Sequence, residues 1–424
     1  MSRALRLATG LAALTLAGCD AVSPSASYAT DFLSRMAEPV QAAVATSPYA
    51  KVIGPCTFER GLKDSCALST LPFLGQETNT ATIDQIMQRV VVSHPWMATR
   101  FRQVLESQPT ALLQMFRSTT AVIIGSKVRP SFYYPLTGAI YLDPEDLWLT
   151  QAERATINMD PDFRSGFGSE LQFRAIWRYV KDNDYAYPFY PDDFTGSRSI
   201  DDIRIPLGRL LAHELAHAGD FAPPAGLATL SREQTAVEAI NAQSGQWISD
   251  RLTGSKPLTS ATWLNLAQVL YANKTPTTVE KGYTPAQAGE LLANDRAADA
   301  YGYFTQFEDL AMITEEILSW CFYGIQRDFA TSNRPNGGDF VVGWGVRGRI
   351  AEPQVEDAAR FVTGELLPGV SLESCYASLP EPVMMRSGAT WTDNLDPNGS
   401  GASAKAGSLT RPGDSLPPGV AVQP

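Results

Sequence analysis

Leu210-Leu211-Ala212-His213-Glu214-Leu215-Ala216-His217-Ala218-Gly219-Asp220 is the stretch on which the reading of this chain turns. It holds two of the three histidines in 424 residues, four positions apart, with a glutamate directly after the first. At ~100° per residue, helical positions four apart differ by only ~40° around the axis, so His213 and His217 can present both imidazoles to one ion. Glu214 falls on the same flank, where it can reach a water on that ion without being a ligand. The neighbours Leu211, Ala212, Leu215, Ala216 and Ala218 are uncharged, as a buried metal-bearing helix requires. Pro206 suits the start of this helix and Gly219 its stop. The plainer alternative is a pair of hydrogen-bonded core histidines.

The His-Glu-x-x-His pattern resembles the active-site helix of the zincin metallopeptidases, and the resemblance is strong over about ten residues. It implies an α+β fold, a mainly helical zincin-like domain with a small mixed sheet, and Zn2+ as cofactor. A catalytic zinc usually takes three protein ligands and a water. His94 lies upstream, and the downstream third histidine of other zincins is missing. The chain therefore resembles a gluzincin, in which a glutamate on a second helix completes the site. Glu238, 21 positions beyond His217, has nearly the thermolysin-like spacing, but Ala242 stands where an aspartate is expected. Glu308, 91 positions beyond His217, begins Glu308-Asp309-Leu310-Ala311, which resembles the Glu-x-x-Ala helix of lethal-factor-like enzymes. Glu308, Met312 and Glu315 share a helical face, and an acid on a buried helix is costly unless paired with charge. Glu308 is the expected ligand, with Glu238, Glu315 and Glu316 as alternatives and a solvated helix carboxylate as the plain reading of each. Tyr301, seven residues before Glu308 and near the same side of that helix, matches a tyrosine that the resemblance assigns to oxyanion stabilisation; core packing would also account for it. Asp220 and Asp309 could orient metal ligands or cap helices.

The rest of the chain bears on compartment and partners. With 44% hydrophobic and 19% charged residues it can bury a sizeable core, and its net charge of −11 without a basic run argues against nucleic acid as a partner. Residues 1–18 carry Arg3, Arg6 and a short apolar run, too short to span a bilayer, and read as a signal peptide. Leu16-Ala17-Gly18-Cys19 resembles the lipobox of bacterial lipoproteins, which implies a lipidated Cys19, a tether over 19–27, and a place in the cell envelope at either the inner or the outer membrane. Four other cysteines remain in an oxidising compartment, so two disulfides are expected; of the three pairings the short loop favours Cys56 with Cys66, leaving Cys321 with Cys375.

Along the expected domain, residues 28–390, residues 83–92 have helical spacing, and Ser93 and Pro95 introduce a further helix through Trp96, Phe101 and Leu105. His94, at that junction, reads as structural. Residues 121–124 and 139–142 read as strands. Residues 170–181 look helical, with Phe173, Ile176, Trp177 and Val180 along one side, and 183–199 as a loop. From Trp391 to Pro424 glycine, serine and proline dominate, and a disordered tail is expected. The expected activity is hydrolysis of a peptide or protein by an exported zinc endopeptidase, with Glu214 as general base and residues 138–142 as the sheet edge that receives substrate. The rivals are a non-catalytic zincin-fold lipoprotein acting as a structural or binding module and a hydrolase of nonpeptide amides. Oligomeric state is left open.

Overall fold

The computed structural model describes residues 35–58, 65–191, 193–335 and 337–399. The signal peptide, Cys19, the tether and residues 400–424 lie outside the described residues. The architecture is α+β, as expected, but it contains two five-stranded sheets. The first is formed by β1 (Gln41–Ala42), β2 (Val90–Val92), β3 (Val122–Ile124), β4 (Phe132–Tyr134) and β5 (Ala139–Leu142), in the order β1-β2-β3-β5-β4. Its three inner strands are parallel, and both flanking strands run antiparallel. The 138–142 run therefore belongs to an interior strand, not to the edge, which β4 occupies. Only the first part of 83–92 is helical (Ile83–Met87); the three valines that follow are buried on both faces as β2.

The second sheet is antiparallel throughout: β6 (Arg174–Lys181), β7 (Asp184–Tyr185), β8 (Gln326–Ser332), β9 (Val342–Arg347) and β10 (Val383–Met384), ordered β10-β9-β8-β6-β7. Here the expected helix over 170–181 is corrected to a strand. Residues 175–180 are all buried, because Ala175, Trp177 and Tyr179 face one core while Ile176 packs into another with Ala330, Val342, Met385 and Trp391. A strand buried on both faces shows no alternation, so its apolar residues can fall at helical spacing by accident. Trp391 also corrects the tail boundary. It is fully buried, the Arg178 guanidinium sits 3.9 Å above its ring, and its carbonyl accepts from Arg178 at 2.6 Å, so the fold continues past it.

Six helices matter for the site: α1 (Pro95–Glu106), α2 (Ile200–Phe221), α3 (Ala236–Asn241), α4 (Ile248–Ser255), α5 (Gln306–Tyr323) and α6 (Pro353–Leu366). Helix α1 starts with its proline in the first turn, as expected, and His94 bonds Ser93 at 3.0 Å. Helix α2 begins earlier than Pro206. Ser199 and Asp202 form a reciprocal capping box, and Pro206 lies inside the helix. Gly219 does not stop it either; a Cβ there would meet Leu366 of α6 at 2.5 Å, so the glycine permits helix contact. Helix α5 starts at an N-cap Thr305, whose hydroxyl accepts the Glu308 N–H at 3.1 Å, and stops at Gly324 in left-handed conformation. The two helices pack together in the main core, every residue of 210–221 and of 307–319 being buried. Disulfides join Cys56 to Cys66 and Cys321, at the end of α5, to Cys375. No helix among the described residues is long and apolar enough to cross a membrane.

Candidate metal centre

A helix buried on all sides should be apolar, yet α2 and α5 carry His213, Glu214, His217, Glu308, Glu315 and Glu316 in their buried stretches. Each of these must find charge or hydrogen bonds. The helices meet so that His213 and His217 face Glu308. The distances are 3.2 Å between the two Nε2 atoms, 3.1 Å from His213 Nε2 to Glu308 Oε2, and 3.6 Å from His217 Nε2 to the same oxygen. For metal bonds of ~2.0–2.1 Å the edge of a tetrahedron is ~3.3–3.4 Å, and the three donor atoms stand within a few tenths of an ångström of that separation. Among the described residues they form a group able to hold a metal ion. Two imidazoles and one carboxylate are also a donor set that zinc accepts.

Glu308 Oε1 accepts from the Tyr301 hydroxyl at 3.0 Å, leaving Oε2 to face the imidazoles. Burial opposes ionisation of Glu308, but both histidines outweigh it and hold the carboxyl well below its ordinary range. Burial would likewise lower His213; its bonds to Glu308 and Glu315, with the Glu214 charge, raise it to about 10. Glu214 is fully buried, and neither carboxylate oxygen has a hydrogen-bond partner among the described residues. Burial pushes its carboxyl upward, against His213, His217 and the Tyr133 backbone on β4.

The structure thus brings His213, Glu214, His217, Glu308 and Tyr301 together. Tyr301 does so from a short 3-10 turn ahead of α5, not from the same helix as Glu308, and its ring stacks 6.4 Å from that of His213. Glu238 is elsewhere: it is exposed at the first turn of α3, where it caps Thr235, and those hydrogen bonds lower its carboxyl. Glu316 pairs with Arg327 and accepts the Ile350 N–H at 3.2 Å. Glu315 reaches the site, but at the far nitrogen of His213, 3.1 Å from Nδ1. Asp309 pairs with Arg296, and Asp220 accepts the Ser249 N–H at 2.7 Å in the first turn of α4, so each has a helix or ion-pair task. Arg209 and Tyr179, which hold Glu315, were not singled out from sequence, although Arg209 stands one helical step, four residues, before His213. Comparison with family models, with curated proteins and with solved structures finds no match to this chain.

Proposed function

We propose that the protein is a zinc-dependent endopeptidase, exported and lipid-anchored through Cys19, with His213, His217 and Glu308 as zinc ligands. The observation that carries the reading is the set of three donor atoms at 3.1 to 3.6 Å from one another, with the unpartnered Glu214 carboxylate beside them. Bound zinc supplies Lewis acidity, lowering the pKa of a coordinated water from ~15.7 to ~7 and polarising the scissile carbonyl.

The chain's own residues do the rest. Glu214, raised by burial, would act as the base toward a water at the site and as the acid toward the leaving amine. Tyr301, whose phenol burial and Glu308 hold far above its ordinary range, stays a hydrogen-bond donor at neutral pH; it orients Glu308 and stands in reach of a developing oxyanion. The Tyr133 backbone of β4, the last strand of the first sheet, lies beside Glu214.

One observation favours the non-catalytic reading. His213, Glu214 and Glu308 are fully buried and His217 is 4% exposed, so a peptide can reach the centre only if covering residues move. The orphaned Glu214 weighs against it, because a purely structural site has no use for a buried base. Glu214→Gln distinguishes the two. Loss of one general acid–base should lower peptide cleavage by ~10²–10⁴-fold while zinc stays bound. A wild type that holds zinc but cleaves no unfolded protein substrate would turn the assignment to a structural or binding module.

A further inference from the structure

Glu315 is fully buried on α5, two turns beyond Glu308, and both of its carboxylate oxygens have side-chain partners. Its Oε2 lies 3.1 Å from His213 Nδ1. Its Oε1 accepts from the Tyr179 hydroxyl on β6 and from Arg209 Nη1 at 2.7 Å. Arg209 in turn lies 4.7 Å above the Tyr179 ring, so both donors are themselves held. One carboxylate thereby joins α2, α5 and the second sheet.

We propose that Glu315 is a positioning residue of the metal centre: with Arg209 and Tyr179 it fixes the His213 ring and keeps a proton on Nδ1, so that Nε2, which faces Glu308 Oε2 and His217 Nε2, is the nitrogen left to take a metal. This rests on the zinc reading above. Imidazole offers one lone pair when neutral, and a carboxylate on Nδ1 can only accept, so the tautomer with Nε2 free is selected. Arg209 neutralises the buried charge that would otherwise be costly next to Glu308. The same saturation removes Glu315 from the ligand set, because turning Oε2 toward a metal would strip His213 Nδ1 of its partner. The second sheet thus acquires a task at a centre to which it contributes no ligand.

The test uses the full folded chain and zinc itself, with affinity measured by chelator competition and the His213 Nδ1–H followed by NMR at saturating zinc. Outer-sphere partners of this kind change metal affinity by ~10–100-fold. Glu315→Ala should weaken zinc binding by that factor and lose the slowly exchanging Nδ1–H. Glu315→Gln, nearly the same shape, should do likewise. Its one acceptor oxygen cannot serve both Arg209 and His213, and an amide NH2 facing Nδ1 favours the wrong tautomer. Tyr179→Phe, which keeps the carboxylate and Arg209, should stay within about threefold of wild type, since one donor of several is lost. Folded Glu315→Ala or Glu315→Gln with wild-type affinity would overturn the proposal alone, as would weakened affinity with the Nδ1–H unchanged. A wild type that binds no zinc would overturn it together with the functional reading.

Discussion

If Glu308 is the third zinc ligand, Glu308→Ala is first of all a metal-binding variant. Zinc bound by four protein ligands contributes ~10–16 kcal/mol, or ~2.5–4 kcal/mol per ligand. At ~1.4 kcal/mol per decade that is a loss of ~10²–10³ in affinity. The cost should not spread to the whole fold, because α2 and α5 remain joined by the packed core around Leu211, Leu215, Leu310 and Ile317, while the Cys321–Cys375 bond holds the end of α5 to the segment around residue 375. The assay is chelator competition at fixed pH on wild type, Glu308→Ala and Glu238→Ala, with thermal unfolding followed at a free zinc level that saturates all three. Under that condition the zinc-dependent stabilisation of Glu308→Ala should fall short of wild type by ~2.7–4.1 kcal/mol, the equivalent of a ~10²–10³ ratio in Kd. Glu238→Ala should match wild type in affinity, because Glu238 is exposed and bonded only to its own helix cap. Folded Glu308→Ala with zinc affinity within threefold of wild type would refute the ligand assignment, and loss of zinc in Glu238→Ala would point to the thermolysin-like arrangement.

Three further outcomes follow from the structure. Opening the Cys321–Cys375 bond, which closes a separation of 54 residues, should cost about 4 kcal/mol by chain entropy, against about 3 kcal/mol for the separation of 10 at Cys56–Cys66; denaturant unfolding of the two serine pairs that reverses the order would contradict this. Trp391→Ala should destabilise by about 3–5 kcal/mol, since the ring is fully buried under Arg178, and an unchanged unfolding midpoint would return residue 391 to a loose tail. Burial raises the Asp220 carboxyl from 3.8 to about 7, with the Ser249 bonds and His217 opposing. The folded state then holds a proton that the unfolded state releases, so metal-free wild type should lose stability as pH rises from about 4 to about 7, by at most about 4 kcal/mol. Asp220→Asn, which keeps an acceptor for Ser249, should flatten that fall; parallel pH profiles for the two proteins would refute it.

What could be read in advance has a physical pattern. That His213 and His217 would share one side of a helix followed from their four-residue spacing, that Glu308 would lie on a second buried helix followed from the Glu-x-x-Ala resemblance, and the pairing of four cysteines followed from the short loop between two of them. The strands at residues 122–124 and 139–142 were legible from apolar runs bounded by turn residues. The strand at Arg174–Lys181 was not, because both its faces are buried and alternation is lost. Helix ends were misplaced where proline and glycine serve packing: Pro206 is carried inside a helix already capped at Ser199, and Gly219 makes room for Leu366. Trp391 was set at the head of a polar tail because its partner Arg178 lies 213 residues away, a contact that local composition does not encode. The face shared by Glu308 and Glu315 was visible, but which nitrogen of His213 each would meet depends on how two helices cross.

The proposed activity requires one zinc ion held by His213, His217 and Glu308. A crystal grown with zinc and measured on both sides of the zinc absorption edge tests that directly. A single anomalous peak is expected ~2.0–2.2 Å from His213 Nε2, His217 Nε2 and a Glu308 oxygen, with a fourth, non-protein position beside Glu214. An empty position between these three residues at saturating zinc, a peak built on other residues, or a fourth protein ligand closing the site would contradict it.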